Sequence, residues 1–177
     1  MEGVMEEIET LSLVSETNPI LRMNTEVFDF KNPPTNPVIL YRQMANTMLK
    51  NNGIGLAAPQ VGLPYRMFVM RTHPDVIGVF NPLLLDTSEE TIILEEGCLS
   101  FDMLFIKVKR PKRIRVRFTN PDGQTETRVF DGMTARCFLH ELDHLNGITY
   151  LQKANKFHIE TAKKRRKQIK EENQRIA

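Results

Sequence analysis

His140-Glu141-Leu142-Asp143-His144 lies within a proline-free run, Gly132 to Asn146, that is preceded by Asp131 and followed by Gly147. An aspartate ahead of such a run is suited to capping a helix and a glycine behind it to ending one, so the spacing predicts a helix from about Gly132 to Asn146. Four residues rise about 6 Å along a helix and turn about 40° past one revolution. The imidazoles of His140 and His144 therefore project side by side and can hold one metal ion, with Glu141 one step round and able to reach a water on it. With His140 as zero, Ala135, Phe138, Leu142 and Leu145 cluster between about 140° and 220°, an apolar stripe that predicts the core face. Met133, Cys137, His140 and His144 fall within about 60° of one another on the opposite side, as a cleft wall would. The pentapeptide also arises by chance on amphipathic helices, so its neighbours have to decide.

An open catalytic metal site commonly has three protein ligands and a fourth position left for water or substrate. The chain has two cysteines, Cys98 and Cys137. Cys137 shares the helix but lies about 10.5 Å along its axis from His144, too far for bonds of about 2.0 to 2.3 Å to one ion; a structural or pocket-lining place suits it better. Cys98, in Glu95-Glu96-Gly97-Cys98-Leu99-Ser100, follows an apolar β-like run whose end can present a thiolate to the helix. An isolated cysteine is, however, usually a small buried hydrophobe.

Upstream of the helix, Arg113, Arg115 and Arg117 alternate with Ile114, Val116 and Phe118, which marks a half-buried strand, and Asn120-Pro121-Asp122-Gly123 turns it back into Gln124 to Phe130. Further back, Asn36-Pro37 is a capping residue with proline at the first helical position. Val38, Tyr41, Ala45 and Met48 recur at helical spacing until Asn51-Asn52-Gly53. A Gly-rich loop, Gly53 to Gln60, and short β-rich runs at Met67 to Met70, Val76 to Phe80 and Thr91 to Glu95 lie between. A third helix is expected from about Lys156. Strictly alternating βα units are missing, so the reading is an α+β domain with antiparallel or mixed sheets.

At 177 residues the chain has room for one cored domain, and its 41% hydrophobic and 26% charged residues are ordinary globular usage. The longest charge-free run, Asn51 to Tyr65, is 15 residues, short of the roughly 20 that a membrane helix needs. Glu2, Glu6, Glu7 and Glu9 open the chain without a Lys or Arg, which predicts no basic presequence and a cytoplasmic location. Two cysteines exclude a disulfide scaffold. The formal net charge of +2 is uneven, because residues 163–177 hold seven Lys or Arg against two Glu. The expected organisation is a catalytic unit over residues 1–162 and a basic helical tail over 163–177.

Three segments together, Gly53-Ile54-Gly55-Leu56-Ala57-Ala58-Pro59-Gln60, Glu96-Gly97-Cys98-Leu99-Ser100 and His140-Glu141-Leu142-Asp143-His144, resemble the peptide deformylase family in their order and separations. Arg110, twelve residues after Cys98, and Asn18-Pro19-Ile20-Leu21-Arg22 extend the likeness to roughly residues 18–150. The resemblance implies a mixed sheet around a central helix that carries both histidines, with Cys98, His140 and His144 as metal ligands. It implies removal of the N-formyl group from the formylmethionine of nascent polypeptides by a metal-bound hydroxide. Glu141 would take the proton and deliver it to the departing amine. It makes the Gln60 side chain and the Leu99 N–H donors to the anionic oxygen, sets the substrate backbone against Ile54, Gly55 and Gly97, and puts Met133 and Cys137 in the methionine pocket. The donor set suits Fe(II), Zn, Ni or Co, and the likeness favours Fe(II). Leu139 and Asp102 depart from the family pattern, which typically has Gln and often Pro there; neither removes a ligand or proton carrier.

Two rival readings stand beside it: an endopeptidase completing the histidine pair with His158 or Glu160, and a closed structural site with a fourth protein ligand. Arg136, about 40° from His140 on the helix, is expected at the pocket rim. Lys163-Lys164-Arg165-Arg166-Lys167 offers either a contact to ribosomal RNA phosphates or a solvated helix end whose cations complement its dipole.

Overall fold

The computed structural model describes residues 8–176. Of the glutamates on which the reading of the chain start rests, Glu2, Glu6 and Glu7 lie outside the described residues. Helix α1 spans Pro37–Lys50, and the Asn36 carboxamide accepts from the N–H groups of Val38 and Ile39 as its composition predicts. Strands β1 (Gly55–Ala57), β2 (Met67–Arg71) and β3 (Val76–Thr87) follow, then β4 (Thr91–Cys98), β5 (Phe101–Pro111), β6 (Arg113–Thr119) and β7 (Thr125–Asp131). Helix α2 covers Gly132–Leu145 and helix α3 Lys156–Ile176.

The strands form two antiparallel sheets. One has five strands in the order β1-β2-β3-β6-β7, and the other is the β4-β5 hairpin. Helix α2 packs on β1, β2, β6 and β7 of the larger sheet and touches β5 of the smaller, so it is the central helix. Its apolar stripe does what the periodicity predicts: Ala135, Phe138, Leu142 and Leu145 join Phe68, Val116 and Phe130 in one buried cluster. Phe138 meets Phe68 edge-on at 5.1 Å between ring centroids and Phe130 at 5.8 Å. Replacing Phe138 with Ala leaves a void between helix and sheet, and we expect it to lower unfolding stability by about 3–5 kcal/mol, read from denaturant melts. Leu139 belongs to the same cluster, an apolar solution at the position where the sequence departs from the family pattern.

Three elements exceed or escape the sequence reading. Strand β3 continues seven residues past Phe80, because register shifts around Asn81 and Pro82 absorb the missing proline donor, and the Asn81 side chain pairs with the N–H and C=O of Phe28. Strand β5 went unread, although Leu104, Ile106, Val108 and Arg110 alternate inward along it. The Gly-rich loop contains strand β1, paired with β2.

A second buried cluster lies under α1, and a third joins β5 to α3 and the turn Tyr150–Lys153 through Phe101, Ile106, Tyr150 and Ala162. Helix α3 runs unbroken through residues 162 and 163, with Ala162 buried against the body. Among the described residues, no helix is long and apolar enough to cross a membrane.

Candidate metal centre

Helix α2 begins at Asp131, but the aspartate carboxylate does not cap it; it pairs instead with the Arg113 guanidinium at 2.8 Å, across the β6-β7 ladder. Gly147 (φ +69°) ends the turn after the helix, with its N–H donating to the His144 carbonyl. Between them α2 passes through the interior, so that His140, Glu141 and His144 are all buried.

Cys98 ends β4, where the ladder shifts register between Glu96 and Cys98. That irregularity turns the thiol toward the helix, and its Sγ stands 3.3 Å from His144 Nε2. One donor atom each from Cys98, His140 and His144 lie within 4.8 Å of one another, the single such group of three His, Cys, Asp or Glu among the described residues. Cys137, His158 and Glu160 are not in it. Bonds of about 2.0–2.3 Å in a tetrahedral arrangement separate neighbouring ligand atoms by about 3.3–3.7 Å, so these three donors suit one borderline-soft divalent ion.

The surroundings favour positive charge on His140 and disfavour it on His144. Glu96, buried on β4, accepts from His140 Nδ1 at 3.0 Å and, in a fork, from Arg110 at 2.7 and 2.9 Å. Burial pushes the Glu96 carboxyl up, but Arg110 and His140 outweigh it and bring it down to about 2. An ionised Glu96 fixes the Nδ1–H tautomer of His140 and leaves Nε2 to the ligand side. Burial disfavours the His140 cation, yet Cys98 and Glu96 raise its pKa to about 10, while burial and the His140 charge hold His144 well below its ordinary value.

Glu141, like Glu96 and Asp143, is a buried acid. One of its oxygens, Oε2, has no hydrogen-bond partner among the described residues, and burial raises the carboxyl to about 7. The Gln60 amide, from the turn Ala58–Val61, is held on three sides: Oε1 accepts from Ala57 N–H at 2.8 Å, while Nε2 donates to Ser100 Oγ at 3.0 Å and lies 3.4 Å from Cys98 Sγ.

These groups open onto a cleft of about 600 Å³ that includes Ile54, Gly55, Gln60, Gly97, Cys98 and Leu99 on one side. Met133, Cys137, His140 and Glu141 line the helix side. Cys137 is buried, with its Sγ 3.4 Å from the Ile54 carbonyl, and burial raises its thiol pKa further. Met133 is half exposed, and Asp102, which also lines the cleft, is exposed. Arg136 does not charge the rim: its side chain is buried and turns back toward Glu96.

Sequence reasoning missed the role of Glu96 and the Arg110–Asp143 pair at 2.7 Å behind it. The signal was present, since Glu96 stands two residues before Cys98 and Asp143 one before His144.

The family model described as polypeptide deformylase matches residues 10–160. The chain belongs to that family. A peptide deformylase of Thermotoga petrophila is 45% identical over 111 residues, covering 63% of this chain and 68% of that one. One from Wolbachia pipientis is 38% identical over 144 residues, covering 74% and 80%. The crystal structure of peptide deformylase from Thermotoga maritima superposes with a TM-score of 0.79 at 35% identity, over 83% of this chain and 99% of that one. That of a peptide deformylase from Synechococcus elongatus, in complex with actinonin, gives 0.80 at 31%, over 88% and 85%. These polypeptide deformylase relatives share the α+β architecture and are enzymes, and the endopeptidase and purely structural readings fall away with the match.

Proposed function

We propose that the chain removes the N-formyl group from the formylmethionine of nascent polypeptides, releasing formate, with Cys98, His140 and His144 holding one divalent ion. The observation that carries this reading is the convergence of those three donors within 4.8 Å, in a cleft whose wall also holds the partnerless oxygen of Glu141. When bound, the ion lowers the pKa of a water from about 15.7 toward 7 and polarises the formyl oxygen. Glu141 takes the proton from the attacking water and carries it to the amine, which leaves poorly unless protonated. Burial favours the protonated form of this carboxyl and a nearby cation its ionised form, so it can serve both halves of that task. Gln60 Nε2 and the Leu99 N–H donate to the oxygen on which negative charge develops, each worth about 3–4 kcal/mol in comparable sites. Because Ala57 and Ser100 fix the amide of Gln60, it reorganises little during the reaction.

The substrate backbone lies along Ile54 and Gly55 on one side and Gly97 on the other, and Met133 and Cys137 contact the methionine side chain. Gly55 has a second reason to be glycine: a Cβ there would run into Glu141 Oε1 and stand 2.8 Å from Cys137 Sγ. Gly55→Ala is expected to lower kcat/KM for a formyl-Met peptide by about 100-fold or more, because displacing a proton carrier by about 1 Å has that scale of effect.

We assign Fe(II) as the working ion, with Zn, Ni and Co as competent substitutes. The test is formate release from formyl-Met-Ala-Ser by metal-depleted protein reconstituted anaerobically with each ion in turn. No turnover with any of the four sinks the proposal. The reaction belongs in the cytoplasm, and residues 163–177 act as a basic appendage of the 1–162 catalytic unit that contacts ribosomal RNA. Lys163, Lys164 and Lys167 are exposed on α3, so their combined replacement by Ala should abolish salt-sensitive co-sedimentation with ribosomes while sparing buried Ala162.

A further inference from the structure

The Arg136 guanidinium is buried in the cleft wall, and neither the ligand set nor the proton path gives it a task. Its Nη1 donates to Glu96 Oε1 at 2.7 Å and to the Val108 carbonyl at 2.9 Å, and its Nη2 donates to the Ile92 carbonyl at 2.7 Å. One side chain on α2 thereby grips both strands of the β4-β5 hairpin and the carboxylate that orients His140. The hairpin carries Cys98 and the helix carries both histidines, and the two belong to different layers. The distance between sulfur and imidazole therefore depends on whatever holds hairpin to helix. Arg110 bonds the same Glu96 Oε1 and also reaches Asp143, so two guanidinium groups and two carboxylates make a formally neutral buried cluster.

We propose that Arg136 is a positioning residue of the metal centre: by fixing Glu96 and clamping both strands of the hairpin to α2, it holds Cys98 and His140 at ligand distance before an ion arrives. The inference rests on Cys98, His140 and His144 being the ligands. Its sign separates it from simple electrostatics. Removing a positive charge near a cation site, with nothing else altered, strengthens cation binding; removing a clamp weakens it. A fork-shaped donor is needed because three acceptors on two strands are reached at once, which an ammonium on a flexible stem does less well.

The experiment measures zinc affinity of the metal-depleted protein by competition with a chromogenic chelator, for the wild type, Arg136→Met and Arg136→Lys. The sulfur-to-cobalt charge-transfer band of each Co(II) form is recorded alongside. Arg136→Met should bind zinc about 10- to 100-fold more weakly, the usual loss when a group that orients a ligand is removed. It should also shift or weaken the cobalt band. Arg136→Lys, which keeps the charge, should show a smaller loss in the same direction. Zinc affinity in Arg136→Met that equals or exceeds the wild type overturns the proposal, whether or not its melting temperature falls. If Arg136→Met does not fold, Arg136→Lys decides, and an unchanged affinity and cobalt band overturn it. A wild-type chain that binds no zinc refutes the ligand assignment instead, a result distinct from any difference between variants.

Discussion

Glu141→Gln should retain its fold and bound metal while kcat/KM for a formyl-Met peptide falls by about 10²- to 10⁴-fold, the range general acid–base groups contribute. The amide keeps the shape of the side chain and can still hydrogen-bond a water, but it neither accepts nor returns a proton. The same variant should be more stable than the wild type when both are metal-free at pH 8. Burial lifts the Glu141 carboxyl from 4.5 to about 7. A carboxyl whose pKa is higher folded than unfolded loses stability as pH climbs from about 4.5 through about 7, and glutamine carries no such charge. The gain, on the order of 1–3 kcal/mol, is read as a higher melting temperature that disappears below about pH 4.5. Activity within tenfold of the wild type would remove Glu141 from the reaction.

Cys98→Ala should lose the ion. Two imidazoles remain, an incomplete set for a tight divalent site, and zinc affinity should drop by more than the roughly 100-fold ceiling typical of groups that only orient ligands. Cys137→Ala is the control, because its thiol faces the Ile54 carbonyl and is not one of the three converging donors. Metal analysis after desalting separates the two thiols directly. A metal-replete Cys98→Ala, or a metal-free Cys137→Ala, would reverse the assignment.

What the residues revealed in advance is uneven, and the physics explains the unevenness. Helix α1 was legible because Asn36, Pro37 and an uninterrupted apolar spacing act locally and agree. The β6-β7 hairpin was legible because Asn120 to Gly123 is a strong turn and one face of the strand is wet. Strand β5 was not, since Arg110 points inward, where a sequence reading expects an apolar side chain; only the distant Glu96 and Asp143 make that position tolerable. The extension of β3 was hidden by Pro82, acceptable only because a register shift occurs there. At the site, the side-by-side placement of His140 and His144 followed from helical arithmetic, whereas their meeting with Cys98, 46 residues before His144, is a tertiary event. Arg136 shows the limit of that arithmetic: the angle placed it beside the cleft, but an extended side chain went to the strongest partner within reach, a buried carboxylate.

The hairpin bearing Cys98 is a separate sheet, attached to α2 by side chains such as Arg110 and Arg136, whereas the five strands of the larger sheet are joined to one another by main-chain ladders. Loss of those attachments alone would part the thiol from the imidazoles and leave the ladders of the larger sheet paired. Metal-depleted protein is therefore expected to lose its capacity to be reloaded before its far-ultraviolet dichroism, to which the helices and the larger sheet contribute, changes. Metal uptake followed over storage time, with dichroism recorded beside it, checks this expectation.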